Sequence, residues 1–370
     1  MLRSEGPRSL LLGLVLAAGV GVIAAALVAL GNPGNMGICG ACFLRDLAGT
    51  VGISKGPAIF RPELAGVVLG ATALAVSRRT FVARSGSYAV ARFALGVLMS
   101  FGALVFLGCP FRLLQRLGGG DLNAWLALPG FVLGVGAGLA LERRGYAVGK
   151  TSIAPLAVGA IGPLVVLGLL GAFLVGGLLA GPGPGAAGPP LHASWAYALG
   201  LSLLAGAALS ATGFCAVSAA RQVFVRHGRR MLLAAGVLVA AYAATAAATG
   251  RLSASFAAPL AHGDWLWSFF GLALVGLAGT LAGGCPVRQM VMAGEGNGDA
   301  FVTVMGLTLG GALAHAWGVV SVPSAANTAG GATAAGRISA LVGLAIALAY
   351  GLAVAQSAKG MAAAATPPPN

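Results

Sequence analysis

The chain has 370 residues, 58% of them hydrophobic and only 8% charged, whereas a soluble domain carries about 25% charged residues. With a mean hydropathy of +0.93 and 61 glycines, the composition excludes a water-soluble globular protein, a disordered chain, collagen and a disulfide-rich secreted scaffold. It is the composition of closely packed transmembrane helices. The net charge is +14, but the basic residues fall in short loops between apolar runs and form no continuous stripe. The charge therefore reads as membrane topology, with a bias towards anionic solutes, and not as nucleic-acid binding.

Taking about 20 apolar residues as one crossing, the first half of the chain predicts spans at 9–31, 59–77, 91–107, 122–141 and 153–180. The first follows Arg3 and Arg8 as a signal peptide would, but its apolar stretch is too long for one and reads as a retained helix. Residues 181–194 contain GPGPGAAGPP, a Pro/Gly linker between two halves. The second half predicts spans at 195–211, 231–250, 265–283, 300–320 and 338–355, and residues 358–370 read as a disordered tail. Ten spans result, or nine if 59–77 or 231–250 is poorly formed.

The halves are related by one offset. Cys39 and Cys215 are 176 residues apart, and so are Cys109 and Cys285 (215 minus 39; 285 minus 109). The same register superposes Gly37, Arg45, Gly108, Pro110, Arg112, Gly118, Gly120 and Ala124 on Gly213, Arg221, Gly284, Pro286, Arg288, Gly294, Gly296 and Ala300. Each repeat, 1–180 and 195–357, thus carries five crossings and two cysteine loops. An odd number of crossings requires the second copy to insert upside down, which predicts an inverted-topology repeat. The excess of Arg and Lys in alternate loops, including Arg78, Arg79, Arg84, Arg143, Arg144, Lys150, Arg226, Arg229 and Arg230, puts both termini in the cytoplasm. Lys55, Arg61, Arg251 and Arg337 fall in the outer loops.

The cysteine loops carry the chemistry. Two begin Gly-x-Cys, at Cys39 and Cys215; two begin Gly-Cys-Pro, at Cys109 and Cys285. Each continues as a helical stretch too short to span, which predicts four re-entrant half-helices whose tips meet near the midplane, because irregular backbone at membrane depth must be buried in protein or line a cavity. Proline suits the first helical position, so each cysteine sits at a helix mouth, where free N–H groups and the dipole favour an anion and Arg112 or Arg288 adds charge. Thiols strung along such a path are weak donors with a polarizable surface, suited to a soft anion. Five cysteines is an odd number with no evident pairing, so free thiols are expected and no disulfide framework.

Other readings of these residues remain open. Cys39 and Cys42 have redox-motif spacing, although Ser218 stands at the repeat position of Cys42 and no neighbouring histidine supports haem or zinc. No metal and no cofactor are expected. The arginines serve equally as partners pinning the hairpins to Asp46, Asp121, Glu295 or Asp299. His192, His227, His262 and His315 lack motif spacing; His315, inside a span, is the one worth testing against its ordinary reading as a packed core residue.

The segments GICGACFLRDLAG, FLGCPFRLLQRLGGGDLNAW, ATGFCAVSAARQVF and AGGCPVRQMVMAGEGNGDAF resemble the YeeE/YedE family of inner-membrane proteins, and within it the selenium-transporter branch. The resemblance runs through all four loops. It implies an hourglass-like bundle in a bacterial inner membrane that takes up a sulfur- or selenium-containing anion such as thiosulfate, acting as a transporter and not as an enzyme. It also implies that Cys39, Cys109 and Cys285 contact substrate, with Cys215 added by the repeat and Cys42 by proximity, and that a separate TusA-like sulfur-carrier protein is a partner. Membrane lipids are the other expected partner. Competing functions are a membrane thiol-disulfide protein using Cys39 and Cys42, and a scaffold docking a sulfur carrier on its basic loops.

Overall fold

A computed structural model describes residues 7–175, 178–179, 181, 192–225, 228–256, 258–325 and 328–364. The linker at 182–190, His227, Arg3 and Arg226 lie outside the described residues.

The protein is a helical bundle. In the first half the helices are α1 (Pro7–Ala29), α2 (Gly40–Thr50), α3 (Pro62–Ser77), α4 (Ala89–Phe106), α5 (Pro110–Gly118), α6 (Leu122–Arg143) and α7 (Leu156–Leu174). In the second they are α8 (Trp195–Thr212), α9 (Ala216–Arg221), α10 (Arg230–Ala248), α11 (Trp265–Ala282), α12 (Pro286–Gly294), α13 (Gly298–Ala316) and α14 (Ala334–Ala364). A two-residue antiparallel ribbon joins β1 (Arg84–Ser85) to β2 (Ser152–Ile153).

Among the described residues nine helices are long and apolar enough to cross a membrane. The span expected at 59–77 is the exception. α3 has 16 residues, about 24 Å at the helical rise, against a hydrocarbon core of about 30 Å. Its start is fixed by Pro62 at the first helical position and by the buried ionic residues Arg61 and Glu63. The expected disordered tail also starts too early, because α14 continues as far as Ala364.

Helix boundaries repeat along the chain. α4 and α11 begin and end 176 residues apart (265 minus 89; 282 minus 106), as do α5 and α12 (286 minus 110; 294 minus 118). α2 and α9, and α6 and α13, start at that offset. The packing follows it too. α6 lies on α11 as α13 lies on α4, α3 on α8 as α10 on α1, and α5 on α10 as α12 on α3. The last helices depart from this exchange: α7 packs on α3, α12 and α13, whereas α14 packs on α4, α11 and α6.

The capping residues obey the offset while their chemistry differs. Asp121 caps α6, accepting from Asn123 N at 2.9 Å and Ala124 N at 3.3 Å, and Asn297 caps α13 through Ala300 N at 3.0 Å. α4 and α11 both end on a left-handed residue, Gly283 with φ +86° in one and Leu107 with φ +60° in the other. Glycine adopts that conformation without cost and leucine does not, so the first half holds a local strain the second lacks. The Leu107 carbonyl accepts from Arg112 Nη1 beside the cysteine loops.

Candidate thiol site

The four repeat-matched cysteines occupy one structural position. Cys39, Cys109, Cys215 and Cys285 are the N-cap residues of α2, α5, α9 and α12, all with extended backbone. Pro110 and Pro286 follow as first helical residues, where a missing N–H is harmless. All five thiols are free and buried, none more than 3% exposed.

Packing brings them together in pairs within each half. Cys39 Sγ lies 3.7 Å from Cys109 Sγ and also accepts from the backbone N of Cys42 at 3.4 Å. In the second half Cys215 Sγ accepts from the backbone N of Cys285 at 3.4 Å. The expectation that no cysteines pair in space is corrected, although no disulfide forms. The two halves also touch here. A Cβ at Gly40 would sit 2.9 Å from both Pro286 Cβ and Val287 N, so only glycine lets the Cys39 loop approach the mouth of α12 this closely. Phe111 and Phe214 meet edge to face at 6.0 Å between ring centroids.

Gln115 clamps the first pair. Its Oε1 accepts from Gly37 N at 2.9 Å and Ile38 N at 3.2 Å, and its Nε2 donates to the Ile38 carbonyl. These contacts hold the strand that delivers Cys39 against the helix that presents Cys109. Arg116, fully buried, donates to Asp121 Oδ2 at 2.5 Å and lies 3.8 Å from the Phe106 ring centroid, which ties α5 to the start of α6.

The arginines expected beside the thiols behave differently from one another. Arg112 does not offer its charge at the mouth of its own helix. Its guanidinium donates to the carbonyls of Asn35, Leu107, Gly34, Pro259 and Leu260, and Nη1 lies 3.9 Å from Cys42 Sγ. Among the described residues no carboxylate pairs with it. Arg288 instead makes two contacts of 3.2 Å with Glu295, and Ser210 Oγ donates to the same carboxylate. Arg221 pairs with Glu142, and Arg92 approaches Asp299 at 3.9 Å.

Cys42 has a setting of its own, lining a cavity of about 290 Å³ with Arg45, Arg61, Arg112 and His315. Arg61, expected in an exposed loop, is 3% exposed and donates to Asp46 Oδ2 at 2.8 Å. A separate cavity of about 380 Å³ is lined by Arg78, Arg84, Arg288 and Glu295.

The other histidines stand apart from the thiols. His262 is buried, with Nε2 2.8 Å from the Val105 carbonyl and Nδ1 accepting from Asp264 N at 3.2 Å. Burial pushes its pKa down, so a neutral ring with the proton on Nε2 satisfies both contacts. His192 Nε2 lies 2.9 Å from the buried Glu63, which Asn32 also contacts. Sequence reasoning missed Gln115, Arg61 and the Glu63–His192 pair; the signal available was only an ionisable or amide residue inside or abutting an apolar run. Neither a protein-family model nor a curated protein matches this sequence.

Proposed function

We propose that this protein carries a sulfur- or selenium-containing anion, thiosulfate-like or a selenium compound, inward across a bacterial inner membrane along a path of buried thiols. The observation that carries this reading is the pairing of cysteines at the mouths of short helices, 3.7 Å between Cys39 and Cys109 sulfurs in one half and Cys215 Sγ on Cys285 N in the other. A thiol presents a weak donor and a soft surface, and four of them buried in apolar protein favour a polarizable sulfur or selenium atom over a hard oxyanion. The first-turn N–H groups at each mouth add partial positive charge without a counterion.

In this reading the four short helices are re-entrant, the halves are inverted in the membrane, and both termini face the cytoplasm. Two features support it: the exchange of packing partners between halves and the arginine excess in alternate loops. Cys39, Cys109, Cys215 and Cys285 contact the ion, and Cys42 and Arg112 border its approach. Arg288 sits beyond the second pair, with its charge tempered by Glu295. A cytosolic sulfur-carrier protein of the TusA type is the partner that would accept the product.

The test is uptake into proteoliposomes with thiosulfate, selenosulfate, selenite, sulfite and sulfate. The reading predicts uptake of at least one ion bearing a terminal soft atom and none of sulfate; sulfate uptake equal to the best of the others contradicts it. One observation favours a thiol-disulfide reading as the second choice. Two sulfurs at 3.7 Å need only a small approach to reach disulfide length, about 2.05 Å. That pair is Cys39 and Cys109, separated by 70 residues, and not the CxxC pair.

A further inference from the structure

The cavity lined by Cys42 holds more positive charge than its neighbours neutralise. Arg45 and Arg61 both bond Asp46, whose two oxygens are taken up by them. Arg112, bonded only to carbonyls and a thiol, brings a third guanidinium. Three guanidiniums against one carboxylate leave two positive charges at a buried site. Charge of this kind away from water is costly unless a counter-charge arrives.

Two donors lining the same cavity have no partner. Arg61 Nη1 is shielded from solvent and bonds nothing, on a side chain only 2% exposed. His315 Nε2 is likewise shielded and unbonded. The His315 ring packs on Gly56, where an added Cβ would lie 2.8 Å from Nε2. A water occupies about 30 Å³ in the liquid, so a cavity of about 290 Å³ accepts a five-atom oxyanion with some water.

We infer that this cavity is a binding site for a small tetrahedral dianion, chosen by charge and not by softness, and that His315 takes up a proton when the dianion binds. Arg61 and Arg112 supply fixed charge, and Arg45 shares itself between Asp46 and the ligand. Neutral His315 offers one N–H; protonated, it adds a third charge beside the ion. The ionisable groups facing it are Arg45, Asp46 and Cys42 from α2, Arg61 from the segment before α3, and Arg112 from α5. α4 also packs on α13, but its one charged residue, Arg92, pairs at the opposite end, with Asp299. The inference deepens the transport reading and rests on it for the ion's onward passage, since selection for a soft atom is left to the thiol pairs.

The full chain in detergent is titrated calorimetrically with sodium sulfate and sodium thiosulfate, against constant chloride, at about pH 8 and about pH 6, either side of the ordinary imidazole range. The two ions should bind with affinities within about threefold of each other, and several-fold more tightly at the lower pH, with proton uptake seen as a dependence on buffer ionisation heat. His315→Gln, which breaks no bond, should remove the pH dependence; Arg45→Gln should weaken both ions by about tenfold or more. Unaltered binding in both variants overturns the inference, as does equal affinity at the two pH values in the native chain. The transport reading fails separately. If both ions bind this way but thiosulfate does not enter proteoliposomes, the cavity stands and the carrier does not; if thiosulfate enters while sulfate does not bind, the cavity assignment falls alone.

Discussion

The cysteines illustrate what a single residue can and cannot reveal. Gly-Cys-Pro announces a helix mouth, because only glycine turns sharply enough before it and only proline gains from the first helical position, and Cys109 and Cys285 are indeed N-caps. Pairing was not legible, because Cys39 meets Cys109 only once Gln115 on α5 grips Gly37 and Ile38. Arg61 looked like a loop cation for the same reason, its partner Asp46 being fixed by the fold and not by spacing. The sulfur geometry makes a prediction of its own. Copper-phenanthroline, accepting two electrons as the two thiols lose their protons, should link Cys39 to Cys109 even in a Cys42→Ser background, as read by peptide mass spectrometry. Recovery of only a Cys39–Cys42 link would show that the 3.7 Å contact does not govern reactivity.

At the scale of elements, periodicity and hydropathy gave the long helices to within a few residues, since a 20-residue apolar run has few alternatives in a bilayer. α3 was overestimated because hydropathy averages over Arg61 and Glu63, which are buried through partners in other elements. The two equivalent caps separate capping from ion pairing. Asp121→Ala removes a cap and also strands the fully buried Arg116, a loss of about 3–5 kcal/mol by the cost of an uncompensated buried charge. Asn297→Ala removes a cap alone, about 1 kcal/mol. Thermal unfolding in detergent should therefore show a clearly larger drop for Asp121→Ala, and equal drops would mean the Arg116 pair contributes little.

For the molecule as a whole, the 176-residue register was readable in the sequence, and the helix starts and packing partners keep it through the first six helices of each half. The divergence of α7 and α14 was not readable, because both are simple apolar helices whose docking is set by neighbours. Inversion of the halves makes an accessibility prediction. Ile53 and Arg229 stand at equivalent positions (229 minus 53 is 176) and both are exposed. A membrane-impermeant maleimide should label Ile53→Cys in intact cells, and Arg229→Cys only after permeabilisation. Labelling of both from one side would rule out inversion.

The central claim, that buried thiols pass a soft anion by weak donation and contact, is tested most directly by uptake of labelled thiosulfate through Ser and Ala variants of Cys109 and Cys285. Serine keeps a donor that alanine lacks, whereas neither can form a disulfide. Cys42, which the repeat does not mirror, serves as the control with the weakest effect. The account predicts that Cys109→Ser and Cys285→Ser retain part of the flux, with N-ethylmaleimide present, while the alanine variants lose more; equal and complete loss in serine and alanine variants would contradict it.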